Sequence, residues 1–166
     1  MIFKFLGKNF YVGFSIVALI YFADRLTKIL VIQLHKNSLG SDIFNSTYLN
    51  IVLIWNKGIA FGLFSFDESN LYNILTLLIS IIVFILLIMS VKSEGFKRYS
   101  LLMIVGGALG NLHDRIFFNA VPDFIDFHVG NFHWFIFNVA DIFISLGVFF
   151  MILIELIDNS KNNETV

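Results

Sequence analysis

Residues 71–91 read LYNILTLLISIIVFILLIMSV, a run of 21 positions without a single charge. At about 1.5 Å per residue, a helix over this run is about 31 Å long, close to the hydrocarbon thickness of a bilayer. The rest of the chain agrees with it. Its 166 residues are 58% apolar, 17% aromatic and only 14% charged, with a mean hydropathy of +0.85. A soluble domain carries roughly 25% charged residues. This chain is too short for two ordinary domains and too apolar to bury its side chains in one soluble core. With 21 Phe and a single Pro it is neither disordered nor collagenous. The composition is that of an integral membrane protein.

Outward from 71–91, three further apolar stretches approach the roughly 20 residues needed to cross a bilayer. The first, about 10–34, is interrupted by Asp24, Arg25 and Lys28. The next, about 99–116, ends in Asp114 and Arg115, and the last, about 134–157, carries Asp141 near its start and Glu155 near its end. The expected fold is mainly α and integral to the membrane: four transmembrane helices in a single domain over residues 1–158. A polar cytoplasmic tail over 159–166 follows. Lys4 and Lys8 before the first stretch resemble a signal-peptide n-region. However, Tyr21-Phe22-Ala23 lacks a small-x-small cleavage pattern and the apolar pattern resumes after Lys28, so the stretch reads as a retained span.

Basic residues set the expected orientation. Lys4, Lys8, Lys92, Lys97, Arg98 and Lys161 fall on one side of the four spans, and only Lys36 and Lys57 on the other. The positive-inside rule puts both termini in the cytoplasm. The long connections, about 35–70 and 117–133, then face outward. Within the first of them Tyr48–Ile54 (YLNIVLI) is rich in β-branched residues and runs on to Trp55-Asn56-Lys57-Gly58. It reads as one or two short strands with a Gly turn, a small β-containing platform on the outer (periplasmic) face. Phe61-Gly62-Leu63-Phe64 is expected to dip into the interface.

Several chemistries are excluded. A net charge of −1 gives no basic stripe for nucleic acid, and no Cys means no disulfide, thiolate zinc site, iron–sulfur cluster or cysteine nucleophile. No G-x-S-x-G elbow is present. His113, Asp123, Asp126, His128 and His133 could be imagined around a metal, but the H-E-x-x-H spacing is missing. These histidines read as interfacial side chains, and neither a metal nor a cofactor is expected.

The charges inside the spans are informative because each costs about 2.5–3.5 kcal/mol on insertion scales and needs a reason to be there. Asp24 lies 14 residues beyond Phe10 and Asp114 lies 15 beyond Tyr99, so both sit about 21–22 Å up from the cytoplasmic end. Asp141, 7 residues beyond Trp134 on a descending span, lies about 10 Å in from outside. The three carboxylates share one layer in the outer half of the bilayer, which is the mark of a site.

Asp24 and Lys28 form an acid-first i,i+4 pair. It reads either as a structural ion pair, with Arg25 and Lys28 reaching outward, or as a support for a neighbouring site. In Gly106-Gly107-Ala108-Leu109-Gly110-Asn111-Leu112-His113-Asp114-Arg115, Asn111 and Asp114 share a face with Gly107. Interhelical packing explains this motif as well as a site does. Asp123, between apolar neighbours, is either solvated at the interface or poorly solvated with a raised pKa. Asn138 and Asp141 are i,i+3 with small Ala140 beside them. If Asp123 and Asp141 meet, one of the pair stays ionised while the other holds a proton. That supplies a general base for water and a general acid for a leaving amine.

Five blocks, in order along the chain, resemble the bacterial lipoprotein signal peptidases (signal peptidase II). They are Asp24-Arg25-x-x-Lys28; Asn56-x-Gly58-x-Ala60-Phe61-Gly62; Gly106-Gly107-Ala108-x-Gly110-Asn111-x-x-Asp114-Arg115; Val121-x-Asp123-Phe124; and Phe137-Asn138-x-Ala140-Asp141. The resemblance implies a membrane-embedded aspartic endopeptidase of the bacterial cytoplasmic (inner) membrane. It would cut diacylglyceryl-modified prolipoproteins just before the lipidated Cys, without a cofactor. Asp123 and Asp141 would be the catalytic pair. Asp24, Lys28, Asn56, Gly58, Asn111, Asp114, Arg115, Asn138 and Ala140 would support it or contact substrate. The partners implied are the prolipoprotein and membrane lipid, with no nucleic acid, and the chain is expected to be a monomer. Two departures from the family pattern are His113, where an aliphatic residue is expected, and Pro122 beside the first catalytic Asp.

Two other classes compete. A small proton-coupled transporter or channel could use the same buried carboxylates, but it needs polar groups through the whole membrane thickness, and residues 71–91 carry no charge. A structural assembly protein would tolerate Asp123→Asn.

Overall fold

The computed structural model describes residues 7–38, 42–58 and 69–163. Among them the order is α1 (Lys8–Asn37), β1 (Phe44–Asn45), β2 (Leu49–Asn56), α2 (Ser69–Lys92), α3 (Gly95–Phe118), β3 (Val121–Val129), β4 (Phe132–Phe137) and α4 (Val139–Asn163). The chain is mainly helical with a small antiparallel sheet. Three helices, α2, α3 and α4, are long and apolar enough to cross a membrane. α1 is the longest, with 30 residues, and carries Asp24, Arg25 and Lys28 in its middle.

The helices follow from composition more than from amphipathicity. Apolar side chains surround α2 and α4, and many of them face outward, among them Leu77 at 62%, Phe84 at 64% and Phe149 at 58% exposure. Water would not tolerate such a belt, whereas lipid tails match it. The helix α3 is the hub and packs against α1, α2 and α4. Its buried face runs from Leu101, Leu102, Ile104 and Val105 through Gly106, Gly107 and Gly110 to two charges, Asp114 and Arg115. At Gly107 a Cβ would collide with the Ala140 carbonyl, and at Gly110 it would meet the Asp24 carboxylate. Both positions let neighbouring backbones and carboxylates come close.

The sheet is larger than the sequence suggests. Its four strands lie in the order β1-β2-β3-β4, all antiparallel. Trp134–Phe137 was expected to open the last span, yet it is strand, and α4 starts only at Val139. An unbroken aromatic and β-branched run reads equally as membrane helix or buried strand, and the Gly130-Asn131 turn decides for a hairpin. At its other end α4 stays helical through Asn163, into the stretch expected as a polar tail. Pro122 lies buried in β3 opposite Trp55, and the strand runs through it. Register shifts occur between Ile51 and Ile54 in β2 and between Asp126 and His128 in the β3–β4 pairing. In each the extra residue belongs to the partner of β3, so β3 keeps its two-residue alternation. The expected interface dip at Phe61–Phe64, the motif residues Ala60, Phe61 and Gly62, Lys4, and residues 164–166 lie outside the described residues.

Candidate active site

β3 and the first turn of α4 bring Asp123 and Asp141 to the head of one cavity. Asn138, the residue before α4, connects them. Its Oδ1 accepts the Asp141 backbone N–H at 3.1 Å, and an Asp141 carboxylate oxygen accepts the Asn138 N–H at 3.2 Å. This is a reciprocal capping box, so the local rule that starts the helix also fixes the carboxylate. The Asn138 Nδ2 donates to Asp123 Oδ1 at 2.6 Å.

The other two oxygens are held as firmly. Asn56, at the end of β2, donates through Nδ2 to Asp123 Oδ2 at 2.9 Å. Asn111 donates to Asp141 Oδ1 at 2.8 Å. Asn111 in turn accepts from Lys28 Nζ at 2.8 Å, so its amide can face only one way. Gly58, buried, donates its N–H to Asn56 Oδ1 at 2.8 Å and offers its carbonyl to Arg115 Nη2 at 2.7 Å. Burial and the Asp141 charge push the Asp123 pKa up to about 6 against the opposing effects of its Asn56 and Asn138 hydrogen bonds and Lys28.

Beneath the pair lies a four-membered ion cluster. Arg25 grips Asp114 with both terminal nitrogens at 2.6 Å and reaches Asp24 at 3.0 Å. Lys28 bridges Asp24 at 2.9 Å and Asp114 at 2.7 Å. Two acids and two bases balance, and Asp24, Lys28 and Asp114 are all but completely buried. Of the two readings open for this pair, the one in which Arg25 and Lys28 reach outward is corrected. Two carboxylates on neighbouring helices offer them more than a distant headgroup layer does, and a fork-shaped guanidinium suits a carboxylate. The free oxygen of Asp24 accepts the Ala140 N–H at 3.0 Å, so α1 caps α4.

Sequence reasoning missed some of the surroundings. The cavity, of about 540 Å³, runs from Asp123 and Asp141 along Ala108, Ile144, Val148 and Ile152. The four-residue spacing of the last three was a legible stripe. Tyr72 stacks its ring under Arg115, with the guanidinium 5.8 Å from the ring centre; nothing in its sequence surroundings marks it. His113 lies elsewhere, sharing a hydrogen bond of 2.9 Å with Tyr21 between α1 and α3.

Apolar helices around buried charges, with paired carboxylates at the head of an apolar cavity, are the make-up of a multi-pass membrane enzyme. Two solved bacterial membrane enzymes share the fold, both obtained by the in meso method. The first, at 2.3 Å resolution, is 27% identical with a TM-score of 0.70 over 90% of each chain. The second, at 1.9 Å, is 28% identical with a TM-score of 0.67 over 87% of this chain and 92% of its own. The sequence profile of signal peptidase (SPase) II matches residues 16–157. A lipoprotein signal peptidase of Pelagibacter ubique (strain HTCC1062) is 50% identical over 158 residues, 95% of both chains. Another, of Anaplasma phagocytophilum (strain HZ), is 39% identical over 92% of this chain and 96% of its own. The chain belongs to the signal peptidase II family, the lipoprotein signal peptidases. It is therefore an enzyme, and the transporter and assembly-protein readings fall.

Proposed function

We propose that this chain removes signal peptides from diacylglyceryl-modified prolipoproteins, cutting just before the lipidated Cys with Asp123 and Asp141 as its acid and base. The observation that carries this reading is the position of both carboxylates, each oxygen held by an amide donor, at the head of an apolar cavity. From Asp141 to Ile152 the cavity wall follows α4 for 11 residues, about 16 Å. That is about half the hydrocarbon thickness, a fit for acyl chains that stay in the outer leaflet while the peptide bond meets water.

In this mechanism Asp141 takes a proton from a water held between the carboxylates, and the water oxygen bonds to the scissile carbonyl carbon. Asp123, with its pKa pushed up to about 6, supplies the proton. The C–N bond then breaks and the proton leaves on the amine nitrogen. No covalent intermediate forms and no metal takes part. Asn56, Asn111 and Asn138 keep the carboxylates oriented, and Arg115 holds the Gly58 carbonyl at the cavity edge.

The reading includes α1 as a fourth span, whose internal charges are neutralised by one another and by Asp114. Both termini then face the cytoplasm, and the sheet lies on the outer surface of the inner membrane. The working form is a monomer, since the described residues supply both carboxylates and all their donors. The test is cleavage of a diacylglyceryl-modified prolipoprotein in liposomes by this chain, by Asp123→Asn and by Asp141→Asn. Cutting before the lipidated Cys by the unmodified chain alone supports the assignment. Cutting by both variants overturns the pair, and an intact substrate with the unmodified chain overturns the substrate.

A further inference from the structure

On the face of the sheet turned away from the cavity, three metal-ligating side chains converge. β3 alternates regularly, so Asp126 and His128 share a face and Asp123, an odd number of residues away, points to the other. His133, on β4, is the cross-strand partner of His128. One ligand atom from each of Asp126, His128 and His133 lies within 4.8 Å of the other two. Two atoms that bind one tetrahedral ion at about 2.1 Å lie about 3.4 Å apart. Closing the set around an ion therefore takes a shift of at most about 1.4 Å in any one separation, within reach of rotation about the His side-chain bonds.

Three features make this more than a chance meeting of polar groups. Asp126 is 4% exposed, yet its carboxylate is aimed at the His133 ring, with Nδ1 2.9 and 3.0 Å from its two oxygens. Asn50, opposite Asp126 on β2, donates to the same carboxylate at 3.2 Å and fixes its direction, as partners of metal ligands do. The buried His128 Nδ1 has no hydrogen-bond partner among the described residues, while its ring stacks on His133 with centroids 4.9 Å apart.

We propose that Asp126, His128 and His133 form a binding site for a divalent transition metal of the zinc class, independent of the catalytic pair. Two imidazoles and one carboxylate suit Zn²⁺, Ni²⁺ or Cu²⁺, whereas Mg²⁺ and Ca²⁺ prefer all-oxygen sites. On binding, the ion takes the place of the hydrogen between His133 Nδ1 and Asp126, that proton passes to His133 Nε2 or to solvent, and a solvent oxygen completes the coordination. The site spans the β3–β4 pairing where its register shifts, and β4 leads directly to Asn138. A bound ion would staple the hairpin that carries Asn138 and Asp123.

The test uses the untagged full chain in detergent, stripped with a chelator and titrated with Zn²⁺ by calorimetry, with thermal melting in parallel. One ion per chain and a rise in Tm with Zn²⁺ but not Mg²⁺ are expected. His133→Gln, at a half-exposed position where the amide can still reach Asp126, is expected to weaken binding more than tenfold and abolish the rise in Tm. His128→Gln should do the same. Asn50→Leu should weaken binding about tenfold. His35→Gln, on α1 and outside the three-residue group, should bind as the unmodified chain does. Absence of saturable Zn²⁺ binding, or unchanged binding by His133→Gln, overturns the proposal.

Discussion

Asp24, on the first helix, accepts the backbone N–H of Ala140, on the last helix, at 3.0 Å. The first N–H groups of a helix lack intrahelical partners. Here one of them is satisfied by a side chain 116 residues earlier in the sequence, while the other oxygen of Asp24 belongs to Arg25 and Lys28. Replacing Asp24 by Ala leaves two buried cations against one carboxylate and an amide without its acceptor. A loss of roughly 3–5 kcal/mol is expected, as for other broken buried pairs, read as a lowered denaturation midpoint in detergent. Activity should fall with the folded fraction. A fully folded but inactive variant would instead give Asp24 a part in the chemistry.

Gly110→Ala places a methyl group against the Asp24 carboxylate, and Gly107→Ala places one against the Ala140 carbonyl. Overpacking of this kind costs about 1–3 kcal/mol. Both variants should melt earlier, and Gly107→Ala should also lower kcat by displacing the first turn of α4.

The pH dependence follows from Asp123. Its folded pKa, about 6, lies above the ordinary 3.8, so the folded chain binds this proton more tightly than the unfolded chain. Its contribution to stability is full below about pH 4 and is lost as pH rises through about 6. Turnover that needs this proton should decline over the same upper range, as the pair releases it. Asn56→Ala removes a hydrogen bond that favours ionised Asp123 and should move the decline to higher pH. In Asp141→Asn the neighbouring charge is gone, and a carboxyl ¹³C titration of Asp123 should shift to lower pH.

Asn138→Ala removes both the cap of α4 and the 2.6 Å donor to Asp123. The cap alone is worth about 1 kcal/mol. The variant should remain folded with little change in KM and a kcat reduced by at least tenfold.

Val148→Trp fills the middle of the 540 Å³ cavity without touching either carboxylate. KM for a lipidated substrate should rise, whereas the pH profile of kcat should stay where it is. An unchanged KM would remove the cavity from substrate binding.

How much of this was legible beforehand depends on where each residue's partner lies. The charge-free run gave α2 to within two residues at each end, whereas α4 begins five residues later and ends six residues later than the apolar run that marked it. The convergence of Asp24, Asp114 and Asp141 followed from counting residues along helices, although Asp141 proved to be the third residue of α4 rather than a residue one-third down a longer span. The β3–β4 hairpin was hidden because Phe132–Phe137 is as apolar as a membrane helix and its alternation is broken by an extra residue. Arg25 and Lys28 were misdirected because their acceptor, Asp114, is contributed by α3, 86 to 89 residues away. The five ordered blocks identified the family where local periodicity could not.

The capping box at Asn138 and Asp141 has a consequence for the life of the chain. Asp123, Asn138 and Asp141 all follow α3 in the chain, and the amide that anchors α4 is received by Asp24 of α1. Translation therefore delivers these groups after the helices they dock against, and the first turn of α4 is capped only once α1 has docked. A ribosome stalled before Val139, or a chain whose helices insert in the wrong order, leaves Asp123 without Asp141 beside it. Completion of the fold is thereby the step that sets the two carboxylates side by side.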